Sequence, residues 1–142
     1  MKIFFGTCLL GALVLASPGS ALAGIDLTVN HGTVWQTLKT GETTQGFLQI
    51  HNTGDSADVL TGWACSIANA TSLVAQDGKA LPELTIQPGQ TVTFATSGPH
   101  LILQQMRDAV VFGSVVPCDF TFKNAGEVAV YLNAVAAPGQ HG

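Results

Sequence analysis

The sequence predicts an all-β protein folded as a single antiparallel β-sandwich. Several short segments alternate apolar and polar residues with period two, as in residues 25–29 and 91–94, which is typical of strands with one buried face. Turns rich in glycine, proline and asparagine separate these segments. Convincing helical spacing is lacking, and a length of 142 residues suits at most one ordinary domain.

The predicted elements follow one another without a linker or an internal repeat. In chain order, strands are predicted at residues 25–29, 47–50, 91–94, 120–122 and 128–132. Turns are predicted at residues 52–55, 87–90, 97–99 and 124–126. Residues 101–112 are predicted to hold at most one helical turn, because alternation is missing from 104–108. The small, polar residues 136–142 are expected to fray.

The amino-terminal residues have the order of features found in a secretory signal peptide. Lys2 precedes an apolar run over residues 3–16, which is too short for the ~20 residues that a membrane-spanning helix needs. Pro18 then breaks the run, and small residues in an Ala-x-Ala pattern occupy positions 21–23. A short membrane anchor is the competing interpretation.

Cleavage of such a signal would divide the chain into a signal peptide, residues 1–23, and one mature β-sandwich domain, residues 24–142. We therefore expect a soluble exported protein, located in the periplasm if the host has two membranes. The whole chain is 46% hydrophobic and 10% charged, with a net charge of -4. This balance excludes the basic surface of a nucleic-acid-binding protein and argues against intrinsic disorder.

Two cysteines, Cys65 and Cys118, remain after the predicted cleavage. An even number of cysteines in an oxidising compartment favours a disulfide bond between them. Two separate buried thiols and a pair of copper ligands are the alternatives. Neither cysteine belongs to a C-x-x-C motif, so a thioredoxin-type redox role has no support.

No catalytic motif occurs in the sequence, and we expect a protein that is not an enzyme. A Gly-x-Ser-x-Gly elbow and a glycine-rich phosphate loop are both missing. The carboxylates are scattered, mostly in turns, where Asp55 and Asp58 are expected to be solvated. The histidines are the best remaining candidates for chemistry, because imidazole binds copper, zinc and nickel. They form no close pair and lie at positions 31, 51, 100 and 141.

Residues 86–128 resemble the periplasmic PCuAC family of copper chaperones without a gap. The similarity is carried by the turn at 87–90, the Ser-Gly-Pro-His sequence at 97–100 and the stretch 113–128. Upstream, residues 46–55 resemble the first core strand of the family and its Asn-Thr-Gly-Asp turn. The resemblance implies a cupredoxin-like β-sandwich, a periplasmic location, and delivery of copper to a recipient copper enzyme.

The resemblance also implies a Cu(I) site of two histidines and two methionines, and most of these ligands are replaced here. Of the His-x-Met pair, His100 is present but position 102 is Ile. The other methionine falls on Leu48, and the other histidine falls near Thr71. Aliphatic side chains can preserve the packing of a methionine, but they cannot bind a metal ion.

Three interpretations stay open. In the first, His100 binds copper together with His31 or His51, in a nitrogen-rich site better suited to Cu(II). His51 lies three residues after Leu48 and is therefore expected on the opposite face of the strand. In the second, the domain is a metal-free protein-interaction module with candidate anchors Trp35, Trp63 and Phe112. In the third, the site binds another metal such as zinc.

Overall fold

The computed structural model describes residues 26–140 and consists of nine β-strands. No residue in this range lies in an α-helix, so the prediction of an all-β protein is confirmed. The strands are β1 (Leu27–Trp35), β2 (Thr44–Asn52), β3 (Asp58–Cys65), β4 (Ala68–Val74), β5 (Leu84–Ile86), β6 (Thr91–Thr93), β7 (His100–Met106), β8 (Val115–Phe122) and β9 (Gly126–Val135). The first 25 residues, with the predicted signal peptide, lie outside the described range.

All nine strands belong to one curled sheet. The strand order is β4-β7-β2-β1-β9-β8-β3-β5, and β6 pairs with β2 beyond the end of β7. Although β3 and β4 lie near opposite edges of this order, only residues 66–67 join them. The sheet must therefore fold back on itself, which gives the two facing layers of a half-barrel or sandwich. Every paired neighbour is antiparallel except β1 and β9, which are parallel.

Strand β1 connects the two halves of the sheet through a bulge at His31 and Gly32. Before the bulge β1 pairs only with β2, and from Thr33 onward it pairs with both β2 and β9. His31 has a φ of 55°, in the left-handed region. A Cβ atom at Gly32 would collide with the backbone carbonyl oxygen of Tyr131 in β9. Glycine at this position therefore allows β9 to approach β1.

The core fills the space between the two layers. Strand β2 alternates strictly between buried and half-buried residues, and β8 alternates between exposed and buried ones. The largest side chains on the inner faces, including Leu48, Ile50, Phe120 and Phe122, are almost completely buried. Burial of such side chains contributes roughly 1.5–3 kcal/mol each. Period two in these strands thus reflects one face against the core and one face outward.

Cys65 and Cys118 form a disulfide bond, which settles the open question of their pairing. They are directly opposite each other in the ladder between β3 and β8. Both are buried, and Cys65 is the last residue of β3. The bond therefore fixes β3 to β8 at the point where the chain leaves for β4 in the other layer.

Residues 101–106 form most of strand β7, and no residue from 101 to 112 lies in a helix, so the one helical turn considered for this stretch does not form. Alternation fails because Gln104 and Gln105 are both exposed, and Gln105 has a φ of 49°. Arg107 continues out of the strand, with its backbone N–H donating to the carbonyl of Ile67 at 2.7 Å. A kinked strand end, rather than a helix, explains the irregular pattern.

The Asn-Thr-Gly-Asp turn and the turn before β9 are held by two buried polar side chains. Asn52 donates to the carbonyls of Ser56 and Ile86 at 2.8 and 3.0 Å. Asp58 accepts from the backbone N–H groups of Asn124 and Ala125 at 2.8 and 2.9 Å. Asp58 is only 5% exposed, so the expectation that it is solvated is wrong. Its carboxylate replaces water as the partner of turn N–H groups.

Candidate metal centre

The candidate site lies on the outer face of the sheet where β1, β2 and β7 are neighbours. In β2 the residues Gln45 and Phe47 alternate with buried core residues and point outward. Gln45 pairs with Ile102 of β7, and Gly46 pairs with Leu101, so continuing the register places His100 opposite Phe47. The register of β1 likewise places Trp35 beside Gln45. We call this set the His100 face: Trp35, Gln45, Phe47, His100 and Ile102.

His100 is positioned by the turn that separates β6 from β7. Both strands pair with the same edge of β2, and residues 94–99 bulge out between them. The turn is closed by backbone hydrogen bonds from Gly98 to Ala95 at 3.0 Å and from Ala95 to Pro99 at 3.1 Å. This geometry brings the carbonyl oxygen of Gly98 to the imidazole of His100.

The imidazole of His100 is held in the form that binds metals. Its Nδ1 lies 3.0 Å from the carbonyl oxygen of Gly98. A carbonyl can only accept a hydrogen bond, so Nδ1 is the donor, and in the neutral imidazole the lone pair is then on Nε2. Nε2 makes no hydrogen bond with any residue from 26 to 140. An imidazole whose second nitrogen donates to a backbone carbonyl is the usual arrangement of a metal-bound histidine.

Aromatic rings restrict the orientation of this histidine. The ring of Phe47 lies 6.1 Å from that of His100 between centroids, with an interplanar angle of 38°. Trp35 lies 5.2 Å from Phe47 with an angle of 56°. His100 itself is only 7% exposed. The three rings form a continuous row, so His100 has a defined position before any ligand arrives.

The three residues that replace the family's other ligands do not form a metal site with His100. Leu48 is 1% exposed and faces the core, on the side of the sheet opposite to the His100 face. Ile102 does lie on the His100 face, beside Gln45. Thr71 pairs with Leu103, whose side chain is fully buried. The sulfur-rich Cu(I) site implied by the family resemblance therefore does not fit the residues present.

The two other predicted ligands do not belong to the His100 face. His51 is on the same outer face of β2 but four residues beyond Phe47, about 13 Å along the strand. Its Nδ1 is 2.7 Å from Oγ1 of Thr91. His31 is exposed in the β1 bulge. In residues 26–140, no three His, Cys, Asp or Glu side chains form a group that could hold a metal ion.

Gln45 is a polar residue of this face that the sequence analysis did not single out. Its Oε1 atom is buried and has no hydrogen-bond partner among the described residues. The register places Trp35 and Ile102, from the strands on either side, next to it. The alternation of β2 indicates that Gln45 points outward, but only the register of the sheet identifies these neighbours.

The candidate interface residues differ in exposure. Trp35 and Trp63 are half-buried, and Trp63 packs against the core. Phe112 is 51% exposed and follows Val111, which is 64% exposed. Leu38, 75% exposed, belongs to the neighbouring loop, because Thr37 and Val110 are joined by hydrogen bonds of 2.9 and 2.7 Å. These three apolar side chains lie at the same end of the molecule.

A polar cavity of about 270 Å³ lies among the turns at the opposite end. Asn52, Asp58 and Asn124 line it, together with Asp26. The carboxylate of Asp58 is already bonded to backbone N–H groups, and Asn52 is bonded to backbone on both sides of its amide. These polar groups stabilise the turns and leave few atoms for a ligand.

Residues 27–134 match the family model described as LpqE-like lipoprotein. The chain belongs to the LpqE-like family. No curated protein is a match for it. Within residues 26–140 of this LpqE-like protein, no helix has the length and apolar character needed to cross a membrane.

Solved structures similar to the LpqE-like chain include PCuAC domains. The copper-bound PCuAC domain from PmoF2 has a TM-score of 0.72 at 20% identity, covering 79% of this chain and 94% of that domain. The apo PCuAC domain from PmoF1 has a TM-score of 0.72 at 21% identity, covering 79% and 95%. Cu(I)-bound DR1885 from Deinococcus radiodurans has a TM-score of 0.61 at 20% identity, covering 82% and 85%. The predicted cupredoxin-like β-sandwich is thereby confirmed as a fold.

Proposed function

We propose that this LpqE-like chain is an exported copper-handling protein, a divergent relative of the PCuAC chaperones, and not an enzyme. It binds one copper ion at His100 and passes it to a copper enzyme outside the cytoplasm. Export by the predicted signal peptide, residues 1–23, is supported by the lipoprotein description of the family and by the disulfide bond, because disulfides persist mainly in oxidising compartments outside the cytoplasm. Copper is the substrate of the process, and the protein supplies binding and transfer.

The observation that carries the proposal is the hydrogen bond between Nδ1 of His100 and the carbonyl oxygen of Gly98. It fixes the tautomer and the ring orientation and leaves Nε2 as a ligand. The same fold holds copper in the PCuAC domain from PmoF2. Because no methionine or cysteine thiolate belongs to the His100 face, nitrogen and oxygen ligands dominate, which favours Cu(II) over Cu(I).

His31 and His51 stay in the proposal as alternative or additional ligands, with His100 as the primary one. Because neither belongs to the His100 face, each would bind copper at its own position. Binding together with His100 would need a change in the β1 bulge for His31, or at the end of β2 for His51. Individual substitutions of the three histidines distinguish these possibilities.

The proposal is tested by titrating the purified protein with Cu(II) and Cu(I). We expect one equivalent of copper with submicromolar affinity, lost by about 100-fold in His100→Phe, which retains the ring contact with Phe47. His31→Ala and His51→Ala test the two other histidines in the same way, and Gln49→Leu, which changes a polar side chain of the same outer face of β2, is the control. Absence of saturable binding in both oxidation states would refute copper handling, and equal binding of zinc would redirect the proposal to another metal.

A metal-free protein-interaction module is the second candidate. It is favoured by the exposed apolar side chains of Leu38, Val111 and Phe112. Clusters of this kind mark protein-binding surfaces more often than isolated apolar residues do. In that case Phe112→Ser abolishes binding to the partner protein, while His100→Phe leaves this binding unchanged.

A further inference from the structure

Gln45 presents a buried amide oxygen without a hydrogen bond on the same face as His100. Buried polar atoms in native proteins nearly always have a partner, so an unpartnered oxygen requires an explanation. Four residues further along the outer face of the strand, Gln49 donates from Nε2 to Oγ1 of Thr93 at 3.4 Å. The amide of Gln49 thus has a partner within the sheet, whereas Oε1 of Gln45 has none among residues 26–140.

The register of the sheet places Gln45 within reach of the metal-binding nitrogen. Gln45 pairs directly with Ile102, and His100 lies two residues before Ile102 on the same face of β7. Such diagonal neighbours on adjacent antiparallel strands are separated by about 7–8 Å. Glutamine and histidine side chains each extend several ångströms beyond Cβ, so Oε1 and Nε2 can both contact one ion between them.

We propose that Oε1 of Gln45 is the second protein ligand of the copper ion held by His100, and that this oxygen makes the site selective for Cu(II). The inference rests on the proposed function and specifies its ligand set. Amide oxygen is a hard ligand, and imidazole accepts either oxidation state, so a set of one nitrogen and one oxygen favours Cu(II) over Cu(I). The sulfur ligands that favour Cu(I) are missing from this face.

The nature of the neighbouring side chains supports this assignment. The register places Trp35 and Ile102 on either side of Gln45, and its amide oxygen is buried. A dry environment makes the oxygen poor at finding other partners and strengthens its attraction to a cation. No charged side chain belongs to the His100 face, so the ligands provided by the protein are neutral.

The experiment compares Gln45→Leu and Gln45→Met with the control Gln49→Leu. Each variant is titrated with Cu(II) and with Cu(I), and its Cu(II) form is examined by electron paramagnetic resonance. Gln45→Leu preserves volume and removes the oxygen, and we expect Cu(II) affinity to fall by about tenfold or more with an altered spectrum. Gln45→Met places a thioether at the same position, and we expect Cu(I) affinity to rise by about tenfold. Gln49→Leu should change neither affinity nor spectrum.

The outcomes separate this inference from the function on which it rests. If the wild-type protein binds copper and His100→Phe does not, but both Gln45 variants match the wild type in affinity and spectrum, only the role of Gln45 is overturned. If the wild-type protein shows no saturable binding, both proposals are wrong. The methionine variant keeps the test decisive if the leucine variant fails to fold.

Discussion

Nδ1 of His100 donates a hydrogen bond of 3.0 Å to the carbonyl oxygen of Gly98, two residues earlier in the chain. The bond is local, so it depends on the turn between β6 and β7 and not on a distant partner. It selects one neutral tautomer of the imidazole. The Ser-Gly-Pro-His sequence therefore fixes which nitrogen of His100 is directed away from the turn and is free for the ligand role proposed above.

The first prediction concerns this tautomer. Of the two neutral tautomers of His100 in the metal-free protein, we expect the one with the proton on Nδ1, because only a donor can bond to a carbonyl oxygen. Two-bond proton–nitrogen correlation spectra of the imidazole distinguish the two neutral forms. His51, whose Nδ1 faces a hydroxyl that can donate or accept, is the internal comparison. A dominant Nε2–H form at His100 would contradict the geometry.

The second prediction concerns the bulge in β1. Gly32→Ala should destabilise the protein by about 2–3 kcal/mol, because the new methyl group meets the Tyr131 carbonyl oxygen of β9. Gly98→Ala is the control, because a Cβ atom there would lie 3.7 Å from the Thr93 carbonyl oxygen, which is an ordinary van der Waals contact. Its effect on stability should stay within about 0.5 kcal/mol. Denaturant unfolding measures both, and equal stabilities of the two variants would disprove the close approach of β1 and β9.

The alternation of apolar and polar residues predicts a strand wherever one face of that strand packs on the core. Strands β2 and β8 alternate strictly because one face of each packs on the core. Strand β7 was missed because its first two residues are both buried and two later ones are both exposed. The parallel pairing of β1 with β9 joins residues about a hundred positions apart, which local patterns do not encode.

In the candidate site, likewise, residues contiguous in the sequence can be predicted, whereas contacts between different strands cannot. His100 and its turn were found because they are contiguous in the sequence. The placement of Leu48 in the core, away from His100, follows from the register of three strands. The neighbours of Gln45 on the His100 face, Trp35 and Ile102, belong to β1 and β7. Residue types along one strand do not specify such cross-strand neighbours.

The third prediction concerns the disulfide bond. Its removal in the double variant Cys65→Ala and Cys118→Ala should lower the free energy of unfolding by about 4 kcal/mol, from the chain entropy of a loop with a sequence separation of 53. Thiol titration of the denatured, unreduced wild-type protein should first find neither cysteine reactive. Two reactive thiols, or a double variant as stable as the wild type, would contradict the structural role of the bond.

The fourth prediction concerns Asp58 at the turn before β9. Both of its carboxylate oxygens accept backbone N–H groups, from Asn124 and Ala125, and it is 5% exposed. Asp58→Asn preserves the shape but turns one acceptor into a donor that faces another donor. We expect a loss of about 1–3 kcal/mol of unfolding free energy.

Asp55→Asn, at an exposed position in the preceding turn, is the matched control and should leave stability nearly unchanged. Thermal unfolding of the two variants measures the difference, and because copper binding is assigned to the His100 face, the affinity for copper should be equal in both. A destabilisation as large for Asp55→Asn would show that the loss of negative charge, and not the bonding of the turn, controls stability at this end of the molecule.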